Sequence, residues 1–256
     1  MTIDHRPSTL IEACIDDPLS ARNAVAGGAG RLELCDSLGD GGTTPSHGLV
    51  VELLETSAVP VFPIIRLRGG GFRYGADELR AMERDAVHFA SLGVRGIVFG
   101  ALNDRGEVDR DAVRRIRDAA PDAALTFHRA FDTCRDPYAA LETLIELGVS
   151  RILTSGQRAR AWEGRELIGE LVRRADGRLT IMAGGGISEG DVAELVRTTG
   201  VTEVHVRATM IIREAPGWDS WSVVPFRKAL PGDEYARLVT DPQRIAAIKQ
   251  EVSRES

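Results

Sequence analysis

The feature that most constrains the fold of this chain is a short pattern that recurs four times. A glycine is followed by alanine or valine, then by two variable residues, then by an apolar residue that opens a strand-like run. The pattern occupies residues 28–32, 93–97, 148–152 and 200–204, so it returns about every 50 to 65 residues. Because a glycine commonly ends a helix, each copy predicts a helix followed by a strand. A unit of two strands and two helices therefore occurs four times.

Eight strands are predicted in all, with amphipathic helical segments between them. The strand candidates are residues 11–16, 31–35, 61–66, 96–100, 125–129, 151–155, 179–183 and 203–207. Predicted helix starts are Asp17, Thr44-Pro45, Asp77, Asp109, Asp136 and Ser188, while segment 159–174 is helical by periodicity without a clear cap. This alternation favours an α/β fold, a single (β/α)8 TIM barrel over residues 1–256. A doubly wound open sheet is the alternative, but it would not favour a fourfold repeat.

Composition narrows the classes of partner. The chain has 256 residues, 43% of them hydrophobic, and a net charge of -6 at pH 7, which argues against a nucleic-acid surface. The first residues lack a signal-peptide pattern, and no apolar run approaches the roughly 18 residues of a membrane span. We therefore expect a cytoplasmic protein with no membrane partner. Its three cysteines are too few for a disulfide framework and should be free thiols.

Residues 208–240 fit the repeat less well. They hold Trp218, Trp221 and Phe226 among several prolines and glycines, and they predict an extended loop before a terminal helix over 241–252. A loop of this length usually serves as a lid, a binding loop or an interface arm. Its aromatic side chains need burial, and a second copy of the chain in a homodimer is one possible partner.

The first two predicted strands carry the same triplet, Glu-x-Cys. Alternation along a strand places Glu12 and Cys14 on one face, and it places Glu33, Cys35 and Arg31 on one face of the next strand. The opposite faces are apolar and suited to a covering layer of helices. We therefore expect both carboxylates and both thiols to point into the barrel, with Arg66 or Arg68 as charge partners.

Polar residues at the carboxyl ends of barrel strands are the candidates for catalysis, because active sites of this fold lie there. Buried carboxylates and histidines without partners would be costly, so they indicate either a self-satisfied network of ion pairs or a ligand site. The candidate acid or base residues are Glu12, Glu33, His128, Asp132 and His205.

The thiols have two interpretations. A single buried cysteine is usually a small core side chain. Two cysteines on neighbouring strands, about 4.8 Å apart, could instead share one soft metal ion. A pair of thiolates suits Cu(I), whereas tetrahedral Zn(II) would need two more ligands, one of them from His128 or His205. We therefore predict a metal site at Cys14 and Cys35, and we expect Cys134 to be incidental.

Glycines and arginines at the same end indicate a small anion as a second possible ligand. Residues 184–186 are three glycines after the seventh strand, where a phosphate cradle is common in such barrels. A tight strand-to-helix turn explains them equally well. The candidate anion-binding residues are Arg66, Arg68, Arg129, Thr154, Ser155, Gly184, Gly185 and Gly186.

Taken together, these motifs resemble the copper homeostasis protein CutC family. The segments that carry the resemblance are 11–16, 28–35, 41–46, 65–68 with Phe72 and Tyr74, 126–132, 153–156, 184–186 and 203–205. The chain departs from the family pattern at Leu67, where proline is common, and at Val206-Arg207, where a small pair is usual. The resemblance implies a (β/α)8 barrel and a role in copper handling, with Cys14 and Cys35 as the suggested ligands of a Cu(I) cofactor.

Three functions remain open at this point. The first is a copper homeostasis protein that binds Cu(I) through the two cysteines. The second is a barrel enzyme that acts on a small anionic, possibly phosphorylated, substrate with Glu and His acid-base residues. The third is a protein-interaction scaffold that uses the aromatic loop 216–226. The partner is accordingly a metal ion or a small anionic ligand in the first two cases and a protein in the third.

Overall fold

The computed structural model describes residues 9–213 and 235–254. Eight parallel strands run in the cyclic order expected of a barrel, each paired with its neighbours in the chain, and β1 also pairs with β8. The strands are β1 Leu10–Ile15, β2 Arg31–Leu34, β3 Val61–Pro63, β4 Gly96–Phe99, β5 Ala124–Phe127, β6 Arg151–Thr154, β7 Thr180–Gly184 and β8 Glu203–Val206. A parallel bridge between Ile64 and Val98 joins β3 to β4 and closes the ring. The predicted TIM barrel is confirmed.

Eight helices were found in the described parts of the chain. They are α1 Pro18–Gly27, α2 His47–Thr56, α3 Ala76–Ser91, α4 Arg110–Ala119, α5 Pro137–Glu146, α6 Arg165–Ala175, α7 Val192–Thr199 and α8 Pro242–Arg254. Asp17, Asp109 and Asp136 cap α1, α4 and α5 as predicted, because their carboxylates accept the free N–H groups of the first turn. None of these helices is long and apolar enough to cross a membrane.

Three predicted helix starts are wrong. α2 is capped by Ser46 rather than by Thr44-Pro45, and α3 begins after Gly75. α7 begins after Asp191, whose side chain accepts the backbone N–H of Ser188 at 2.7 Å. Only Ser46 caps its helix through its side chain, whereas Gly75 and Asp191 precede α3 and α7 without a side-chain cap bond.

The segment predicted as a long loop has structure at both of its ends. Thr209–Arg213 forms β9 and Ala236–Thr240 forms β10, and the two pair antiparallel as a separate ribbon. Residues 214–234, which include the aromatic part of the predicted loop, lie outside the described residues. The ribbon delivers the chain to α8, which packs against α1 and α7.

Two separate apolar regions follow from strand alternation. The larger core lies between the strands and the helices and includes Ile11, Ala13 and Ile15 from β1. A small cluster lies inside the barrel and consists of Cys14, Cys35, Phe62, Ile64 and Val98. Polar side chains therefore occupy much of the barrel interior, and this is where the candidate site begins.

Candidate functional site

A chain of buried ion pairs crosses the middle of the barrel. Arg31 donates to the carboxylates of Glu12 and Glu203, and Arg151 donates to Glu203 at 2.6 Å. Arg31 and Arg151 also lie over the ring of Phe62, with their Cζ atoms 5.2 and 5.7 Å from its centre. Because these side chains come from five strands, they tie β1, β2, β3, β6 and β8 together. We call these five side chains the ion-pair layer.

Glu12 and Glu33 point into the barrel, as predicted. The prediction that Arg66 or Arg68 would be their charge partner is wrong. Glu12 is fully buried and pairs with Arg31 and His205. Burial by itself would raise the pKa of Glu12, yet the hydrogen bond to His205 and the charge of Arg31 lower it to about 2. Glu12 is therefore a permanent carboxylate that is already satisfied, which does not suit it to acid-base work.

The two thiols lie one layer above, towards the carboxyl ends of the strands. The Sγ atoms of Cys14 and Cys35 are 3.8 Å apart, and the Cys35 thiol lies 3.5 Å from a carboxylate oxygen of Glu33. All three residues are buried, and their ligand atoms lie within 4.8 Å of one another. The residues that the sequence predicts as metal ligands are thus brought together, with Glu33 as a third candidate ligand.

The repeated Glu-x-Cys triplet suggests that the two cysteines occupy equivalent positions on neighbouring strands, but they do not. Strand pairing places Cys14 opposite Glu33 and Glu12 opposite Arg31, so Cys35 lies two residues farther along, just beyond the end of β2. Strands of a closed barrel are staggered, and this shift of register follows from closure. The thiols meet diagonally, and Gly42 makes room for them, since a Cβ there would lie 2.9 Å from the Cys35 sulfur.

His205 connects the thiol layer to the ion-pair layer. Its Nδ1 lies 2.8 Å from Glu12 and its Nε2 lies 3.6 Å from Glu33. Burial alone would lower the pKa of His205, but the charge of Glu33 and the contacts with Cys14 and Glu12 raise it well above the ordinary value. An imidazolium at this position favours a negative charge on the groups around it.

The protonation states of the neighbouring groups diverge accordingly. Donation from the Cys35 thiol lowers the pKa of Cys14 well below its ordinary value, and the positive charge of His205 acts in the same direction. The same bond, together with burial, raises the pKa of Cys35. Burial and the nearby Cys14 raise the pKa of Glu33. The surroundings thus favour the thiolate form of Cys14, the neutral form of Cys35 and the protonated form of Glu33.

A cavity of about 680 Å³ opens above this cluster at the carboxyl ends of the strands. Its floor contains Cys14, Glu33 and His205, whereas Cys35 does not line it. Arg66, Phe72 and His128 are among the residues that line its wall. The site is therefore a pocket whose floor carries a sulfur, a carboxyl group and an imidazole, in the place where barrel enzymes bind ligands.

Four residues predicted as acid-base or anion-binding groups bind one another instead. Asp132 accepts hydrogen bonds from Arg129 at 2.7 Å, from Thr154 at 2.5 Å, and from the backbone and hydroxyl of Ser155 at 3.0 and 2.9 Å. These contacts satisfy much of the hydrogen-bonding capacity of Asp132 within the protein. The arrangement is the self-satisfied network that was the alternative explanation for these residues.

The glycine segment is a tight turn that is covered on one side. Gly184 ends β7, and Gly185 and Gly186 have φ values of 110° and 65° that favour glycine. Arg160 donates to the carbonyl of Gly186 at 2.9 Å and to Asp191 at 2.9 Å. A side chain of the protein thus closes over part of the loop, which weakens its interpretation as a phosphate cradle.

The two arginines after β3 have different environments. Arg68 is exposed and pairs with Glu78 at 2.5 Å, away from the cavity. Arg66 is 5% exposed and lines the cavity. Of these two predicted anion-binding residues, only Arg66 lines the cavity.

Sequence reasoning missed Arg31 and Arg151 as members of the site, although a signal was present. The residue just before the apolar position of the fourfold pattern is Arg31, Gly96, Arg151 and Glu203 in its four copies. In three of the four copies this residue belongs to the ion-pair layer. In the remaining copy this residue is Gly96, which leaves room for Phe62, whose ring would lie 2.3 Å from a Cβ at that position. The repeat therefore encodes an interior layer as well as a topology.

Comparisons with known proteins agree with this architecture. The profile described as CutC family matches residues 9–210. The chain is 44% identical over 241 residues to a CutC protein of Histophilus somni, covering 94% of this chain and 98% of that one. It is 40% identical over 240 residues to the human protein named copper homeostasis protein cutC homolog, covering 93% and 87%.

Solved structures show the same fold. A crystal structure of a copper homeostasis protein CutC from Streptococcus agalactiae matches with a TM-score of 0.74 and 33% identity, covering 77% of this chain and 97% of that one. A phosphoribosylanthranilate isomerase from Pyrococcus furiosus matches with a TM-score of 0.55 at 12% identity, covering 96% and 99%. The second likeness reflects the barrel fold alone.

Proposed function

The chain belongs to the CutC family, and we propose from this premise that it serves copper homeostasis in the cytoplasm by binding one Cu(I) ion between Cys14 and Cys35. The observation that carries the proposal is the 3.8 Å separation of the two sulfurs. Since a zinc–thiolate bond is about 2.3 Å long, one ion of similar size could contact both sulfurs without backbone movement. Thiolate ligands select soft ions such as Cu(I), and the cytosol would keep both thiols reduced.

The charge of the cluster favours a monovalent ion. The opposite pKa directions of Cys14 and Cys35 describe two sulfurs that share one proton. Cu(I) carries the same charge as that proton, so exchanging one for the other leaves the net charge of this buried cluster unchanged. Zn(II) would add a charge and would need two further ligands. His205, the nearest nitrogen donor, already hydrogen-bonds Glu12.

The test is a competition titration of the reduced, metal-free protein with Cu(I) and a Cu(I)-specific chelator in the absence of oxygen. We expect one tightly bound ion. Cys14→Ser and Cys35→Ser should each weaken copper binding strongly, because each removes a ligand. The loss should exceed the roughly 10- to 100-fold that is typical when a residue outside the ligand shell is changed. Serine is close to cysteine in size, so circular dichroism should show an unchanged fold.

Cys134→Ser is the matched control. Its thiol is also buried, but it lies beside Gln157 and outside the clusters of candidate metal ligands. Burial raises its pKa to about 12, so it is a poor source of thiolate. Copper binding should therefore be unchanged in this variant. If the wild type and both Cys14→Ser and Cys35→Ser hold copper equally well, the site is elsewhere.

A second candidate is an enzyme that uses acid-base chemistry in the cavity. The observation that favours it is Glu33, a carboxyl group with a raised pKa that faces the cavity beside His205. A buried carboxyl group that holds its proton near neutral pH is suited to general acid catalysis. This candidate requires an organic ligand, and copper binding does not. The two can therefore be separated by asking what the cavity wall recognises.

A further inference from the structure

Arg66 is a buried cation without a carboxylate partner among the described residues. It is 5% exposed, and its terminal nitrogens donate to the carbonyls of Asp40 at 2.9 Å, Gly42 at 2.7 Å and Gly70 at 3.0 Å. These carbonyls hold the side chain in place but do not neutralise it. Its Nε–H is buried and has no hydrogen-bond partner. A buried charge without a counter-ion is unfavourable unless something binds it.

His128 presents a second donor of this kind. Its Nδ1 accepts the backbone N–H of Ala130 at 3.1 Å, so in the neutral ring the proton must be on Nε2. That Nε2 atom is buried and lacks a partner. The imidazole centre lies 5.0 Å from the ring centre of Phe72, and Arg66 Cζ lies 5.2 Å from the same ring. Both donors therefore flank one aromatic side chain of the cavity wall.

Arg207 adds a third donor at the end of β8. Its Nε is buried without a partner, and the residue lines the same cavity. The following residue, Ala208, has a φ of 43°, an unusual value for a residue with a side chain, and it lines the same cavity. The charge of Arg207 reaches Asp16, but no described carboxylate lies within ion-pair distance of it. Three residues that line the cavity thus carry a buried nitrogen without a hydrogen-bond partner.

The two carboxyl groups that line the cavity, Asp132 and Glu33, have other partners than these nitrogens. Asp132 is occupied by Arg129, Thr154 and Ser155. Glu33 contacts Cys35 and His205 on the floor. The Nε–H groups of Arg66 and Arg207 and the Nε2–H of His128 therefore have no carboxylate acceptor among the described residues.

We propose that this cavity binds a small organic molecule through an oxyanion group, a carboxylate or a phosphate, which accepts hydrogen bonds from Arg66 Nε and His128 Nε2 with Arg207 at the rim. Hydrogen bonds from an arginine to an anion are among the stronger ones in proteins. The volume of about 680 Å³ is within the range of small-molecule sites. Leu38, Ile64 and Phe72 provide an apolar surface for the rest of the molecule.

This inference deepens the second candidate function by naming its ligand class, and it does not depend on copper. The experiment uses metal-free protein, so its failure would leave the copper proposal unaffected. Inorganic phosphate and acetate are titrated separately at constant ionic strength, with chloride as the balancing anion. Binding is followed by the nitrogen and proton shifts of the His128 imidazole, assigned with His128→Gln. We expect a saturable shift of Nε2 with at least one anion, and the tighter one identifies the group.

Two arginines provide the matched pair of variants. Arg66→Gln should weaken binding on the order of tenfold to a hundredfold, as expected for a lost hydrogen bond to a charged group. Arg68→Gln, two residues away but exposed and paired with Glu78, should leave it unchanged. Arg207→Ser should weaken it severalfold and holds no backbone carbonyl in the described structure, so it tests the proposal even if Arg66→Gln does not fold.

The proposal is overturned if neither anion gives a saturable shift with the wild-type protein. It is equally overturned if Arg207→Ser, and Arg66→Gln where it folds, bind both anions as well as Arg68→Gln does. Retained binding in Arg68→Gln together with weakened binding in the other variants would support it.

Discussion

Two histidines of this barrel illustrate how the same side chain takes opposite protonation states. His205 faces the carboxylates of Glu12 and Glu33, and its pKa is raised. Burial and the charge of Arg66 lower the pKa of His128 to about 3. Both occupy the carboxyl end of a strand, so position in the barrel does not distinguish them. The sign of the neighbouring charge distinguishes them, since Glu33 raises the pKa of His205 and Arg66 lowers that of His128.

His128 makes stability depend on pH. An unfolded histidine has a pKa of about 6.5, so below that pH the unfolded chain binds a proton that the folded chain refuses until about pH 3. Stability from the neutral ring is therefore complete above about pH 6.5 and falls as the pH drops. The slope for one proton is about 1.4 kcal/mol per pH unit. Urea denaturation of the wild type and His128→Gln at several pH values measures it.

The measurement at about pH 8 is the control for the comparison of the wild type with His128→Gln. At about pH 8 both side chains are neutral, so the difference in unfolding free energy reports only packing and the lost contacts of the ring. The deficit of His128→Gln should then shrink as the pH falls below about 6.5. A deficit that stays constant between about pH 8 and pH 5 would show that His128 does not have the lowered pKa.

At the scale of single elements, helix starts depend on which polar side chain reaches the free N–H groups. Asp17 accepts from the backbone of Leu19 at 2.8 Å and of Ser20 at 3.0 Å, so it caps α1. Ser188 also lies ahead of a helix, but its own N–H donates to Asp191. Local sequence makes both residues plausible caps, and only one has the required geometry.

Removing the two side chains should therefore have different effects. Asp17→Ala should lower the free energy of unfolding by about 0.5 to 2 kcal/mol, the usual cost of losing a cap. Ser188→Ala should change it by less than about 0.5 kcal/mol, because the Ser188 side chain does not cap α7. Chemical denaturation of the two variants and the wild type decides the matter. Equal losses would contradict the assignment of caps.

For the whole molecule, the ion-pair layer replaces part of the apolar filling of a typical barrel. Arg31 contacts Glu12 and Glu203, and Arg151 contacts Glu203, so four charges alternate in sign across the interior. Burying charges in this way contributes little net stability, but breaking one pair leaves a charge without its partner. The layer also holds His205 over the cavity floor through Glu12.

Arg31→Met should therefore destabilise the protein strongly, by about 3 to 5 kcal/mol, because it leaves two buried carboxylates without their shared cation. The matched control is Arg178→Met, which removes an exposed pair with Glu142 whose side chains are 44% and 51% exposed. Its effect should be about 0 to 1 kcal/mol. Urea denaturation near neutral pH measures both. Similar losses in the two variants would mean that the interior layer is not energetically special.

The sequence alone determined the barrel, because its evidence is local and periodic. The fourfold glycine pattern, the capping residues Asp17, Asp109 and Asp136, and the apolar alternation of each strand are visible in short windows. They predict the number, direction and inward faces of the strands. The inward placement of Glu12, Cys14, Glu33 and Cys35 follows from the same alternation and needed no tertiary information.

Only the tertiary structure decided which inward residues meet. Closing the barrel staggers its strands, so Cys14 lies opposite Glu33 and reaches Cys35 diagonally. The same closure brings Glu203 within ion-pair distance of Arg31 and places the Asp132 carboxylate where Ser155 donates a hydrogen bond to it. Arg66 has no counter-ion among the described residues. Charge partners depend on register and on distances of a few ångströms between segments far apart in the chain. A local pattern contains neither, and for that reason the candidate residues were predictable while their pairing was not.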